Sequence, residues 1–146
     1  MINTVVRQIS FFEFEKLVHT ERKNGELSSD QICEFWMKTQ SESLGPHIEL
    51  TEGYKYFWTY IPHFIHTPFY VYAYAFGDCL VNVLIQLYDE GLPDFKNNYI
   101  SLLKSGGSKH YSEVLKPFNV DLKNKDSWQK GLSMISGLID EFEKTI

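Results

Sequence analysis

The twenty residues from Phe69 to Tyr88 are apolar except for a few polar positions, and three of these, Asp78, Asn82 and Gln86, fall four residues apart. On an α-helix that spacing gathers them into one polar stripe along an otherwise apolar rod. About twenty apolar residues reach across a bilayer, but a stripe carrying a carboxylate and two amides is costly in lipid. The segment therefore predicts a buried or cleft-lining helix, and no membrane partner. Thr67 offers an N-cap with Pro68 at the first helical position, and Gly91 provides the stop.

The flanking sequence also carries helical periodicity. Ile2, Val5, Val6, Ile9, Phe12 and Leu17 mark one helix over residues 2–24 that closes at Gly25. Ser28 and Gln31 have capping-box spacing ahead of Ile32, Phe35, Trp36 and Thr39, with Gly45-Pro46 as the stop. The run Tyr54-Lys55-Tyr56-Phe57-Trp58 fits a short strand or a single helical turn equally well. Phe95, Tyr99, Leu102 and Leu103 predict a helix closed by Gly106-Gly107, followed by a short one over Tyr111 to Lys116. Asp126 is the expected cap of a last helix whose face is Trp128, Leu132, Ile135, Leu138, Ile139 and Phe142. Gly131 and Gly137 weaken that helix by about 1 kcal/mol each and leave room for a neighbour to approach. Without repeat or linker, residues 1–146 read as a single all-α helical unit.

The net charge of -5, with no basic run longer than Arg22-Lys23, leaves no footprint for a phosphate backbone and excludes a nucleic acid partner. Cys33 and Cys79 lack Cys-x-x-Cys spacing, which suits unpaired thiols in a reducing compartment. With no basic region leading into an apolar block at the N-terminus, the expected location is cytoplasmic.

Aromatic residues make up 16% of the chain, and they concentrate between positions 54 and 76, so some rings are expected to face a groove. Within this region His63 and His66 lie one helical turn apart, and Tyr70, Tyr72 and Tyr74 follow. Tyr70 and Tyr74 would share a helix face, with Tyr72 opposite and packed toward the core. Imidazole and phenol donate hydrogen bonds at neutral pH, as a site holding an oxyanion requires. His63 and His66 have no third ligand nearby in sequence, so a donor role is favoured over metal binding. Trp36, Trp58 and Trp128 read as core anchors, His19 and His110 as solvent-facing, and Asp78 with Asn82 as a satisfied polar network.

The segments Ile61-Pro62-His63-Phe64, Phe69-Tyr70-Val71-Tyr72-Ala73-Tyr74-Ala75-Phe76-Gly77 and Leu102-Leu103-Lys104-Ser105-Gly106-Gly107-Ser108 resemble the C-terminal part of oligoendopeptidase F, in the thimet oligopeptidase family of zinc metallopeptidases. The resemblance covers essentially the whole chain. It implies the multi-helix C-terminal portion of a zinc metallopeptidase catalytic domain that hydrolyses short oligopeptides in a deep channel. It also implies zinc held by His-Glu-x-x-His and a later glutamate. That motif is absent from these residues, so the resemblance places the ligands ahead of Met1 and makes the chain a fragment of a roughly fourfold longer enzyme. Zinc then belongs to the full-length enzyme, and the chain alone binds none and is inactive. By position, the catalytic donors are His63 or His66 together with Tyr70, while Tyr72, Tyr74 and Phe69 contact substrate.

A second reading from a different class is a non-catalytic helical module that binds peptides in its aromatic groove or self-associates. Its expected form is a homodimer through the exposed cleft face.

Overall fold

The structure, a computed structural model, describes residues 2–146. Every regular element among them is helical: α1 (Ile2–Glu21), α2 (Ser29–Leu44), α3 (His63–His66), α4 (Tyr72–Asp89), α5 (Phe95–Ser105), α6 (Tyr111–Val114) and α7 (Lys125–Glu143), with 3-10 turns at Arg22–Asn24, Glu52–Tyr60 and Lys116–Phe118. No helix among the described residues is long and apolar enough to cross a membrane. The residues gather into two compact units, one ending at Phe76 and the other spanning Gly77–Ile146.

In the first unit α1 and α2 lie antiparallel. Ser43 Oγ donates to Val6 O at 3.4 Å, Gln40 Nε2 to Ser10 Oγ at 3.1 Å, and Phe14 meets Trp36 edge-on at 5.2 Å, so later residues of α1 face earlier residues of α2. The core is Phe11, Phe14, Trp36, Ile61 and Val71. Trp36 is completely buried, and its indole N–H donates to Tyr54 O at 3.0 Å, which satisfies the polar atom that such a large ring brings inside. That bond also ties α2 to the 3-10 turn at Glu52–Tyr60, the conformation adopted where the sequence allowed strand or turn. The capping box forms as expected: Gln31 N–H donates to Ser28 Oγ, and Ser28 N–H to Gln31 Oε1.

The start expected at Thr67-Pro68 does not form. Thr67 instead closes α3, its N–H donating to His63 O at 3.1 Å, and α4 begins five residues later at Tyr72. Phe69 stands between them at φ 59°, in the left-handed region, which a helix starting at Pro68 could not accommodate.

In the second unit the core is Val83, Leu84, Leu87, Leu115 and Phe118, with Phe95 edge-on to Phe118 at 5.4 Å. The helix expected over 111–116 ends at Val114 and becomes the 3-10 turn at Lys116–Phe118, since Pro117 cannot donate to a continuing helix. Asn124, not Asp126, caps α7. Its side-chain carbonyl accepts the Asp126 N–H at 3.0 Å, and the Asp126 carboxylate sits in the first turn, where a negative charge is favoured. Only Gly131 and Ile135 of α7 are buried, while Leu132, Leu138, Ile139 and Phe142 of the expected apolar face are exposed. Gly131 does meet a close neighbour, since a Cβ there would lie 2.7 Å from Cys79 O, whereas one at Gly137 would meet open space.

Asp78 and Asn82 do not form the satisfied network that the sequence suggests. Asp78 Oδ2 and Asn82 Nδ2 are both buried without a hydrogen-bond partner among the described residues, so the acceptor of one is not joined to the donor of the other despite their four-residue spacing on α4.

Candidate functional site

Three of the singled-out side chains come together in the first unit. The His63 imidazole Nε2 and the Tyr74 hydroxyl share a hydrogen bond of 3.0 Å, its direction set by the imidazole tautomer. The His63 and Tyr70 rings lie parallel, 4° apart in plane, with centroids separated by 6.4 Å. Tyr74 stands at 90° to both, 5.6 Å from His63 and 5.7 Å from Tyr70. The cluster is built from three local pieces: α3 carries His63, the turn after Pro68 carries Tyr70, and the first turn of α4 carries Tyr74.

Tyr70 and Tyr74 are 52% and 43% exposed, so neither residue is sealed in the core. No described residue hydrogen-bonds the Tyr70 hydroxyl, which leaves its proton available, whereas the Tyr74 hydroxyl is already engaged by His63. The arrangement is a small aromatic platform with one free phenol and one paired phenol–imidazole. Chemically it can donate hydrogen bonds to a carbonyl oxygen or to the negative oxygen that forms when that carbonyl is attacked.

The remaining candidates are placed differently. His66, at the end of α3, is exposed and shares no hydrogen bond or ring contact with the cluster. Tyr72 packs edge-on against Phe12 at 5.8 Å, and it is half exposed and not part of the core that the sequence suggested for it. Phe69 is 41% exposed, with its ring 4.7 Å from that of His19.

Sequence reasoning passed over Glu15. This residue of α1 is 2% exposed, and its Oε1 accepts the Phe69 N–H at 2.6 Å across 54 positions of the chain. A signal was present: Glu15 lies four residues after Phe11 and next to Phe14, which places a carboxylate on the buried face of α1.

No group of three or more His, Cys, Asp or Glu among the described residues could hold a metal ion. Of the five histidines only His63 belongs to the cluster, and its other members are phenols. The residues present do not fit a zinc site.

The chain matches the model of peptidase family M3 over residues 1–134. It is 32% identical to oligopeptidase PepF of Bacillus subtilis over 98% of its own length and 21% of that protein's. It is also 32% identical to an oligoendopeptidase F homolog of Borreliella burgdorferi, over 99% of its own length and 24% of the relative's. The crystal structure of oligoendopeptidase-F from Enterococcus faecium superimposes with a TM-score of 0.88 at 31% identity, covering 97% of this chain and 27% of the other. The all-α arrangement is thus shared with a solved peptidase, and the chain spans between about a fifth and a quarter of the curated relatives it matches. With the family model matching over 134 residues and relatives agreeing along nearly the whole chain, this sequence belongs to peptidase family M3.

Proposed function

We propose that residues 1–146 act as one helical part, the C-terminal part, of the catalytic domain of an oligoendopeptidase F-like zinc metallopeptidase. In this reading the chain supplies transition-state donors and a wall of the substrate channel for short oligopeptides. The observation that carries it is the free phenol of Tyr70 beside the His63–Tyr74 pair, half exposed on a chain of this family. Tyr70 donates to the oxygen that gains charge as the scissile carbonyl is attacked. His63 and Tyr74 hold each other in place beside it, and His63 is favoured over His66 because it alone joins the cluster. Phe69, Tyr72 and Tyr74 contact the bound peptide. Such a donor, aimed where charge develops in a site shielded from water, contributes about 3–4 kcal/mol to the transition state.

No His-Glu-x-x-His occurs in residues 1–146, so in this reading the zinc that the resemblance implies is held outside this chain, and the chain alone is inactive. Two buried, unpaired cysteines suit a cytoplasmic location. In the full-length enzyme, Tyr70→Phe is expected to lower kcat by about 10²-fold or more while leaving the helical signal unchanged. An unchanged kcat refutes the donor role. Turnover of a quenched fluorescent oligopeptide by the purified 146-residue chain with added zinc, abolished by chelation, would refute its inactivity.

Self-association is favoured by a separate observation. Leu138, Ile139 and Phe142 of α7 are 44%, 43% and 65% exposed, three apolar side chains within five positions that a second copy would cover. Sedimentation of the chain as a monomer at high concentration excludes this alternative.

A further inference from the structure

We infer that Glu15 is a positioning residue for the tyrosine cluster, holding the turn from which Tyr70 projects. This inference rests on the donor role of Tyr70 proposed above.

Thr67, Pro68, Phe69 and Tyr70 form a tight turn closed by the Tyr70 N–H donating to Thr67 O at 3.2 Å. Proline suits the second place of such a turn. The third place, when its φ is positive, ordinarily takes glycine or asparagine, because a Cβ is disfavoured there. Here that place is Phe69 at φ 59°, a bulky residue in a conformation it does not hold without help.

The help comes from two points on α1, one helical turn apart. Glu15 Oε1 takes the Phe69 N–H at 2.6 Å, a charge-assisted bond within a buried setting, and the His19 ring lies against the Phe69 ring at 4.7 Å. Backbone and side chain of the same strained residue are therefore clamped by one rigid helix. Tyr70 is the next residue, so a change in the Phe69 backbone swings its phenol directly.

The second carboxylate oxygen strengthens the inference. Glu15 Oε2 is buried without a hydrogen-bond partner, beside a cavity of about 120 Å³ also bordered by His19 and Phe64. A buried, half-satisfied carboxylate costs stability, so packing alone does not account for it. Gripping the turn does. A glutamine at this position would keep the acceptor oxygen, an alanine would not, and an aspartate would keep the charge but fall one methylene short.

The test compares Glu15→Ala, Glu15→Gln and Glu15→Asp in the full-length peptidase, reading kcat, KM and hydrogen exchange over residues 67–71. Misplacing a reacting group by about 1 Å costs up to about 10²-fold, so E15A is expected to lower kcat by about 10–10²-fold with KM within about threefold of the parent. Exchange across the turn should rise, and E15Q should restore both readouts. If E15A does not fold, E15D takes its place with the same expectation. The inference is overturned if exchange across the turn in the folded variant stays at the parent level, or if E15Q loses as much as E15A. Tyr70→Phe serves as the separating arm. If Tyr70→Phe is silent while E15A loosens the turn and E15Q does not, the donor role fails and the clamp stands. If Tyr70→Phe is slow but E15A is not, the clamp fails alone.

Discussion

Gly131 and Gly137 lie in the same helix, six residues apart, and the structure sets the outcomes of their replacement by alanine apart. A Cβ on Gly131 would lie 2.7 Å from Cys79 O and 3.0 Å from Val83 Cγ2, while one on Gly137 would meet nothing within 4 Å. The nearest obstacle at Gly131 is a backbone carbonyl in the middle of α4, which cannot rotate aside as a side chain can. Both substitutions gain about 1 kcal/mol of helix propensity. Only Gly131→Ala incurs the overpacking cost, about 1–3 kcal/mol when extra carbon enters a well-packed contact. Gly137→Ala should therefore stabilise by nearly the full propensity gain, and Gly131→Ala should end neutral to about 2 kcal/mol destabilised. Because the propensity gain cancels between the two, their difference isolates the helix contact. Urea denaturation followed by circular dichroism measures it, and for a chain of this size each kcal/mol moves the Tm by about 2–4 °C. A Gly131→Ala protein as stable as Gly137→Ala would refute the close approach of α7 to α4.

Asn82 is 1% exposed with its side-chain nitrogen unpartnered, so Asn82→Leu, which removes an unmet donor costing about 1–3 kcal/mol, should raise the stability of the chain in the same assay; a fall would contradict the burial of that amide. Burial, and then the negative charge of Asp78, raise the Cys79 thiol above its ordinary value. The folded chain thus holds this proton more tightly than the unfolded chain, and the resulting stability is complete below the ordinary thiol range and lost as pH rises through the raised folded value. In a Cys33→Ser background, Cys79 should react with a thiol reagent far more slowly in buffer than in urea at mildly alkaline pH; equal rates would refute its seclusion.

Signals contained within a turn or two of chain could be read directly. The capping box of Ser28 and Gln31 requires only those residues and a short stretch of backbone, so its two hydrogen bonds form as written. Gly45 likewise ends α2 where it stands, its N–H returning to Ser41 O at 3.0 Å. The proximity of Tyr70 and Tyr74 was also legible, although it arises from a turn leading into a helix and not from two successive helical turns.

Long-range contacts decided the rest. Thr67-Pro68 is a sound helix start by local rules, yet no local rule could weigh a carboxylate 54 residues earlier that accepts the Phe69 N–H, and α4 starts at Tyr72. Periodicity could mark an apolar face on α7 but not which part of it meets a neighbour, and the contact falls at Gly131 while Leu138 and Phe142 remain exposed. The sequence alone determined the all-helical class, most helix ends and the segment in which the histidine and tyrosines gather, because propensity and capping act over a few residues. Which imidazole meets the tyrosines, and which carboxylate accepts the Phe69 N–H beside them, was decided by tertiary structure, because hydrogen bonds and ring contacts depend on distances that only the folded chain establishes.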